Sequence, residues 1–344
     1  MPYVAKHVNT LGFVCKEEAA FGVAETLSTS VDPVQPWFTD RSGIPTTLNY
    51  LYDGAVGPAP GNDGFLRRAV PFGGAAQFDM PFFFKGGGAA YSASVFANLH
   101  KLWKACGLTA AFSGGAGTEQ WLFSPTAVGT TPTSLTCNLY TDELLIPVIG
   151  CLGNWKFSGD TSGLIKHTFS LSGVKGTITN SAASVPAGFT YPLAAVVPTS
   201  PVGSTFLLGS YVSAIGVKSV EFDLGRKVEP RAGLDAADGH LGFVHRGREP
   251  RLTVVVEETA LVNTPFHTSA GLDPWELFES GGTFACSFQH AGAQYFKWKL
   301  ALTQAQMVAV PERTNLNGAA CVKLDIMPYV TTPVANDDLT LLVN

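Results

Sequence analysis

Residues 151–173 read CLGNWKFSGDTSGLIKHTFSLSG, and the period of two in this stretch constrains the chain more than any other feature. Trp155 and Phe157 alternate with Asn154, Lys156 and Ser158. After the GDTSG turn, Ile165, His167, Phe169 and Leu171 alternate with Lys166, Thr168, Ser170 and Ser172. Successive strand residues point to opposite faces, so the pattern predicts a β-hairpin with one apolar face and one face of hydroxyls and lysines. The hairpin holds no nucleophile beside a base, no metal-spaced cluster and no phosphate loop.

A chain of 344 residues can bury a large core and has room for two domains or one large β domain. It is 46% hydrophobic and only 14% charged, against about 25% charged in an average chain. A surface so poor in charge fits coverage by other subunits; a monomer with a Ser/Thr/Gly-rich surface is the alternative. Thirty-seven glycines, 22 prolines and 23 phenylalanines fit many strands joined by tight turns. The net charge of −5 argues against a duplex-binding protein, which needs concentrated Lys and Arg. It leaves room for a surface past which nucleic acid slides. The six cysteines, at 15, 106, 137, 151, 286 and 321, show no CxxC spacing and read as buried thiols. The opening MPYVAKHVNTLGFVCKEE has no apolar core of signal-peptide length, and no run reaches a membrane span. Synthesis and assembly in the cytoplasm, without a membrane anchor, are the expectation.

Residues 1–62 are Pro-rich and mostly aperiodic, and read as an arm and interaction loop that orders against a neighbour. Strand signals begin at Gly64, with glycine and proline interruptions that suggest bulges or edge positions. The clearest helix spans 92–106: Ser92 or Ser94 as cap, an apolar stripe of Val95, Leu99, Leu102, Trp103 and Cys106, and Gly107 as stop. The Pro/Ser/Ala-rich stretch 180–204 is the boundary candidate, giving one module at 63–200 and a second at 201–344. GFVHRGREPRLTVVVEE (242–258) echoes GFLRRAVPFGGAAQFDM (64–80). A helix signal follows each, the second at DPWELFESGG with Asp273 as cap and Pro274 in the first turn, and strand pairs come next. Matching order points to a duplicated β–α–β module.

Chemistry is scarce. His240 and His245 would lie on opposite faces of a strand, and GDTSG is a hairpin tip without a triad order around it. The pairs Asp142/Glu143, Glu257/Glu258 and Asp337/Asp338 are adjacent, wrong for a shared acid–base site, and read as loop or rim charges. GGAGTEQ and KGGGAAY lack the context of a phosphate cradle. The cluster HRGREPR, with Arg246, Arg248 and Arg251, reads as a salt-bridging patch between subunits, with phosphate contact as the other possibility. No catalytic, metal or cofactor residue emerges, and the chain reads as a non-enzyme.

FVCKEEAAFGVAETL resembles the opening of tail tube proteins of long-tailed bacteriophages, with Phe21, Gly22, Val23 and Ala24 at their Tyr/Phe-Gly-Thr/Val-Ala segment. FANLHKLWKACGL matches the place of that family's single helix, and LIPVIGCLGNWKFSGDTSGLIKHTFSLSGV resembles its Gly-Cys-x-Gly turn and hairpin. The likeness spans about residues 12–260. It implies mainly β modules, a β-sandwich or half-barrel with a flanking helix each, whose subunits assemble into a ring-shaped β-barrel. Rings would stack into the virion's tail tube, through which genomic DNA passes without specific binding. Two fused modules would make a ring of three subunits, with six single-module subunits the alternative. Tail terminator and baseplate or tail-tip proteins would cap the ends. Lys156, Ser158, Lys166, Thr168 and Ser170 are then candidates to face the lumen. Trp37, Phe38, Arg41, Tyr52, Arg246, Arg248 and Arg251 are candidates for subunit interfaces. A capsid decoration or minor tail subunit is the runner-up, and a secreted carbohydrate-binding module or glycosidase the third reading.

Overall fold

Strand after strand finds an antiparallel partner in this chain, many of them far away in sequence. The computed structural model describes residues 10–36, 46–52, 71–115, 117–127, 130–141, 144–161, 163–180, 187–209, 211–215, 217–232, 240–257, 273–316, 318–330 and 337–344. The first half runs through β1 (Thr10–Glu17), β2 (Thr46–Tyr52), β3 (Pro71–Phe83) and helix α1 (His100–Ala105). Then come β4 (Leu108–Ser113), β5 (Gln120–Pro125), β6 (Leu135–Thr141), β7 (Leu144–Asp160), β8 (Lys166–Lys175) and β9 (Thr179–Asn180). The second half holds β10 (Thr205–Leu208), β11 (Tyr211–Ile215), β12 (Val217–Asp223), β13 (Val228–Ala232), β14 (His240–His245) and β15 (Arg251–Glu257). Helix α2 (Pro274–Ser280) follows, then β16 (Phe284–Gln289), β17 (Trp298–Met307), β18 (Glu312–Leu316), β19 (Ala319–Pro328) and β20 (Leu339–Val343).

The expected mainly β fold is what forms: among the described residues, one 18-stranded hydrogen-bonded network plus the β13–β14 ribbon. Its long wall runs β2–β3–β8–β7–β12–β15–β19–β18, every pair antiparallel. Among the described residues the network does not close into a barrel within one chain. At β19 it doubles back: the start of β19 pairs with β18, whereas Ile326, Met327 and Pro328 pair with β17. From β17 one arm runs to β16 and β10, the other to β20 and β5. That return sets β17 opposite β7, and the space between is the core.

Aromatic rings fill that space. Phe157 of β7 meets Trp298 of β17 edge-on at 4.9 Å and Phe288 of β16 at 6.1 Å. Trp103 of α1 bridges Phe123 of β5, at 5.2 Å, and Trp155 of β7, at 5.8 Å. Such rings each bury a large apolar area, and removing one from a fully packed site costs about 3–5 kcal/mol.

Among the described residues both halves repeat one order: a strand (β3 or β15), a helix, then two hairpins, β4–β5 and β6–β7 against β16–β17 and β18–β19. The last strands differ. β8 inserts between β3 and β7, but β20 crosses to the first half and pairs with β5. Together with the β7–β12 ladder, this binds the two halves through continuous hydrogen bonding.

Several local expectations need correction. Residues 1–62 include two strands: β1 pairs with β6 and buries Phe13 and Cys15, and β2 pairs with β3. Their partners lie far along the chain, so local periodicity could not reveal them. The helix expected over 92–106 shrinks to His100–Ala105. The Ser92 hydroxyl accepts from the Ser94 N–H at 3.2 Å in a turn, and the N-cap is Leu99, with no side-chain cap. Asn98 holds the entry away from helix by bonding β3's end: its Oδ1 accepts from the Lys85 N–H at 2.8 Å and its Nδ2 donates to the Phe83 carbonyl at 2.7 Å. Gly107, at φ +79°, stops the helix as expected. The Gly-Cys-x-Gly segment is no turn but a bulge inside β7, where register slips between Ile149 and Leu152 and Gly150 takes φ +65°. Pro81 lies opposite Thr168 of β8, and the described part of β2 pairs with β3 as far as Phe78. The second helix forms as read, with Asp273 Oδ1 accepting from the Trp275 and Glu276 N–H groups.

Two core histidines make this packing pH-sensitive. His167 is fully buried and its Nδ1 accepts from Trp155 Nε1 at 3.1 Å, while its Nε2 has no partner among the described residues. His100, with an unpartnered Nδ1, lies against Phe96, Trp121 and Phe123. Burial first, then nearby His290 for His167 and Lys104 and Lys101 for His100, push each down to about 3. The unfolded chain takes up these protons below about pH 6.5, whereas the folded chain resists until about pH 3. Stability present at neutral pH is therefore lost as pH falls through that window, at about 1.4 kcal/mol per group per pH unit. Urea unfolding should show a lower midpoint at pH 5 than at pH 7, and His100→Phe should flatten the dependence; an unchanged slope in that variant would refute the assignment.

Candidate functional site

The hairpin of residues 151–173 is β7–β8, and its two faces part as the alternation required. Trp155, Phe157, Ile165, His167, Phe169 and Leu171 are buried. Lys156 and Ser158 are exposed, and Lys166, Thr168 and Ser170 half-exposed. Ladder register places Ser158 opposite Lys166, Lys156 opposite Thr168, and Asn154 opposite Ser170, so all five candidate lumen residues share one face.

That face does not stop at the hairpin. One row runs Lys166–Ser158–Glu221–Thr253–Asp325 across β8, β7, β12, β15 and β19. The next runs Thr168–Lys156–Asp223–Arg251, and a third Asp79–Ser170–Asn154. Behind these rows the same strands turn Val220, Phe222, Leu252, Val254, Leu324 and Ile326 into the core. The surface hollows between β8 and β19 over about 550 Å³, around Ser158, Glu221, Thr253 and Lys323.

Two ion pairs lie on this face. Lys156 Nζ lies 2.8 Å from Asp223 Oδ2, and Asn154 Nδ2 donates to Asp223 Oδ1 at 2.8 Å. Burial works to raise Asp223, but hydrogen bonds from Lys156, Asn154 and the Gly225 N–H outweigh it and hold the carboxyl below its usual range. The hydrogen bond to Asp223 raises Lys156 in turn. Thr253 Oγ1 donates to Asp325 at 2.6 Å, and Lys323 lies 3.4 Å from the same carboxylate. Lys156, Lys166, Arg251 and Lys323 are thus interleaved with Asp79, Asp160, Glu221, Asp223 and Asp325. The surface is hydrophilic, close to charge-balanced, and without a concentrated cationic stripe.

The three arginines read as one patch part company. Arg251 lies on the polar face. Arg246 is exposed and donates to Glu229 at 2.7 Å. Arg248 is largely buried and pairs with Asp338, which is 3% exposed and so no rim charge. Burial, the largest influence on both, lowers Arg248 and raises Asp338 despite their pairing, so desolvation outweighs attraction at each. Tyr52 ends β2 opposite Pro71, its side chain lying outside the described residues, as do Trp37, Phe38 and Arg41. Sequence reasoning missed the contributions of β12, β15 and β19. Ser219, Glu221 and Asp223 alternate with Val220, Phe222 and Leu224, which was the available signal.

No described group of three His, Cys, Asp or Glu side chains could hold a metal ion. All six cysteines are free and buried, and burial raises Cys15 to about 12, so that thiol is protonated and inert at neutral pH. No described helix is long and apolar enough to cross a membrane. No protein-family model matches the chain, and no curated protein matches it.

The arginines separate experimentally. Arg248→Ala strands a buried carboxylate and should cost about 3–5 kcal/mol in chemical denaturation, against less than about 1 kcal/mol for Arg246→Ala at its exposed pair. Equal losses would contradict the burial assigned to Arg248.

Proposed function

We propose that this chain is a structural subunit that joins copies of itself into stacked rings, forming the tail tube of a long-tailed bacteriophage. One observation carries the reading: a single hydrophilic sheet face spans both halves of the chain, on a wall whose end strands are β2 and β18. Among the described residues each of these strands pairs on one side only. An open sheet margin offers unpaired backbone groups to another chain. Cyclic addition of copies would use both margins and close the wall into a channel, while limiting growth in the plane.

Repetition of the strand–helix–hairpin–hairpin order favours a ring of three two-module subunits. The polar rows then face the lumen, where hydroxyls and self-neutralised charges give duplex DNA little to hold. The barrel would belong to the ring, since one chain leaves its sheet open. The place of such a protein is the virion tail, with assembly in the host cytoplasm and terminator and tail-tip proteins at the two ends.

Purified protein, viewed by negative-stain electron microscopy, should form hollow stacked rings, and mass measurement of one solubilised ring should give three subunits. Particles without a through-hole would defeat the reading and favour a decoration or minor tail subunit. Ser158→Arg, Thr168→Arg and Ser170→Arg together should leave tubes intact but make them retain duplex DNA, with retention falling steeply as salt rises. If the tripled arginines change neither DNA retention nor its salt dependence, the rows do not line the channel.

A further inference from the structure

Away from the polar face, the β13–β14 ribbon, the 246–250 turn after it, residues 126–127 and 130–132, and the end of β19 enclose a cleft of about 850 Å³ with a charge pattern unlike the rest of the chain. Its charged lining is Arg226, Arg231, Arg246, Arg248 and Asp338. The cleft therefore carries +3 of a total of −5, which leaves −8 on the remaining residues. Inside it the balance is incomplete. Asp338 is committed to Arg248, and Arg246 to Glu229, which leaves Arg226 and Arg231 as the cations without a described carboxylate partner. Arg226 donates to the carbonyls of Gly107, at 3.0 Å, and Cys106, at 3.4 Å, and pairs with no carboxylate among the described residues. Burial and the like charge of Arg248 pull Arg226 down to about 10, yet it stays charged at neutral pH. Arg231 is exposed and makes no ion pair with a described residue. Phe243 and the half-exposed Tyr329 add an apolar wall. Partly buried guanidiniums beside aromatic surface form a receptor for carboxylates on an apolar stem.

The same chain carries the matching donor of charge. Glu276 and Glu279 of α2 are exposed, as is Glu312 of β18, and none pairs with a described cation. The Arg313 guanidinium, 5.4 Å from the Trp275 ring centroid, ties β18 to α2. The three carboxylates thus belong to one shoulder at the last strand of the long wall.

We infer that the arginine cleft receives the acidic α2–β18 shoulder of a second copy of this chain. Cleft and shoulder are different surfaces, so the contact is head-to-tail and propagates from copy to copy. It rests on the self-assembly reading above and supplies that reading with a specific joint.

The test is a charge swap in the full chain, followed by sedimentation velocity and electron microscopy. Arg231→Glu with Arg246→Glu, and separately Glu276→Lys, Glu279→Lys and Glu312→Lys, should each weaken association at least about tenfold. The set combined should recover most of the loss, because the charges again complement. Arg231→Gln, which removes charge without reversing it, should weaken association in the same direction. Unchanged circular dichroism and urea midpoints establish that each variant folds. If wild-type protein assembles but the cleft variants assemble equally well, or the combined set is no better than either alone, the joint is wrong and the tube reading stands. If wild-type protein stays monomeric at all concentrations, both fall.

Discussion

Segregation of side chains to the two faces of one long sheet is the constraint on which the rest depends. On β7 alone, Trp155 and Phe157 are buried while Lys156 and Ser158 are exposed, at one-residue spacing. A register slip of one residue would drive lysine into the aromatic cluster and tryptophan into water, so the ladder has a single acceptable register. The cost of burying an unpaired ammonium far exceeds any gain from an alternative pairing. The contacts of Phe157 with Trp298 and Phe288 hold the returning part of the network against the wall, and Trp155 packs on Phe222 within the wall itself. They also carry the polar rows across the join between the halves, since Phe157 opposes Phe222 where Lys156 opposes Asp223.

That join has a physical meaning beyond holding two halves together. β7 is long enough to pair with β6 along its first part and with β12 along its last, so one strand serves two neighbours on the same side. Fewer free edges remain, and those at β2 and β18 lie at the two ends of the wall. β18 presents Glu312 and Arg313 along its short length, a composition that resists indiscriminate pairing. In an assembling subunit such a margin accepts a shaped partner and discourages a random one.

Buried polarity is concentrated in a few places, each with its own balance. Lys85 is 9% exposed and donates to Gln35 at 2.8 Å and to the Leu193 carbonyl at 3.1 Å, fastening the 187–204 strap to the end of β3. Arg248 and Asp338 are compensated by each other, and Arg226 by two carbonyls at the end of α1. The carbonyls at a helix C-terminus carry partial negative charge, so a guanidinium is favourably placed there, though without full neutralisation. His167 and His100 meet their surroundings by remaining neutral.

What the sequence determined by itself was local: the two-faced β7–β8 hairpin, the stop at Gly107, the capped helix after Asp273, and the burial of all six thiols. Period-two alternation and cap chemistry are written in neighbouring residues and need no distant partner. The tertiary structure alone decided which strands would extend the polar face, that β1 and β2 would leave an aperiodic stretch to join the sheet, and that β20 would pair across to β5. It also decided that Arg251 would go to the polar face while Arg248 was buried with Asp338, ninety residues away. Strand pairing is a choice among many margins of similar local pattern, and it is settled by core packing and burial of charge between residues remote in sequence. No short window contains that information.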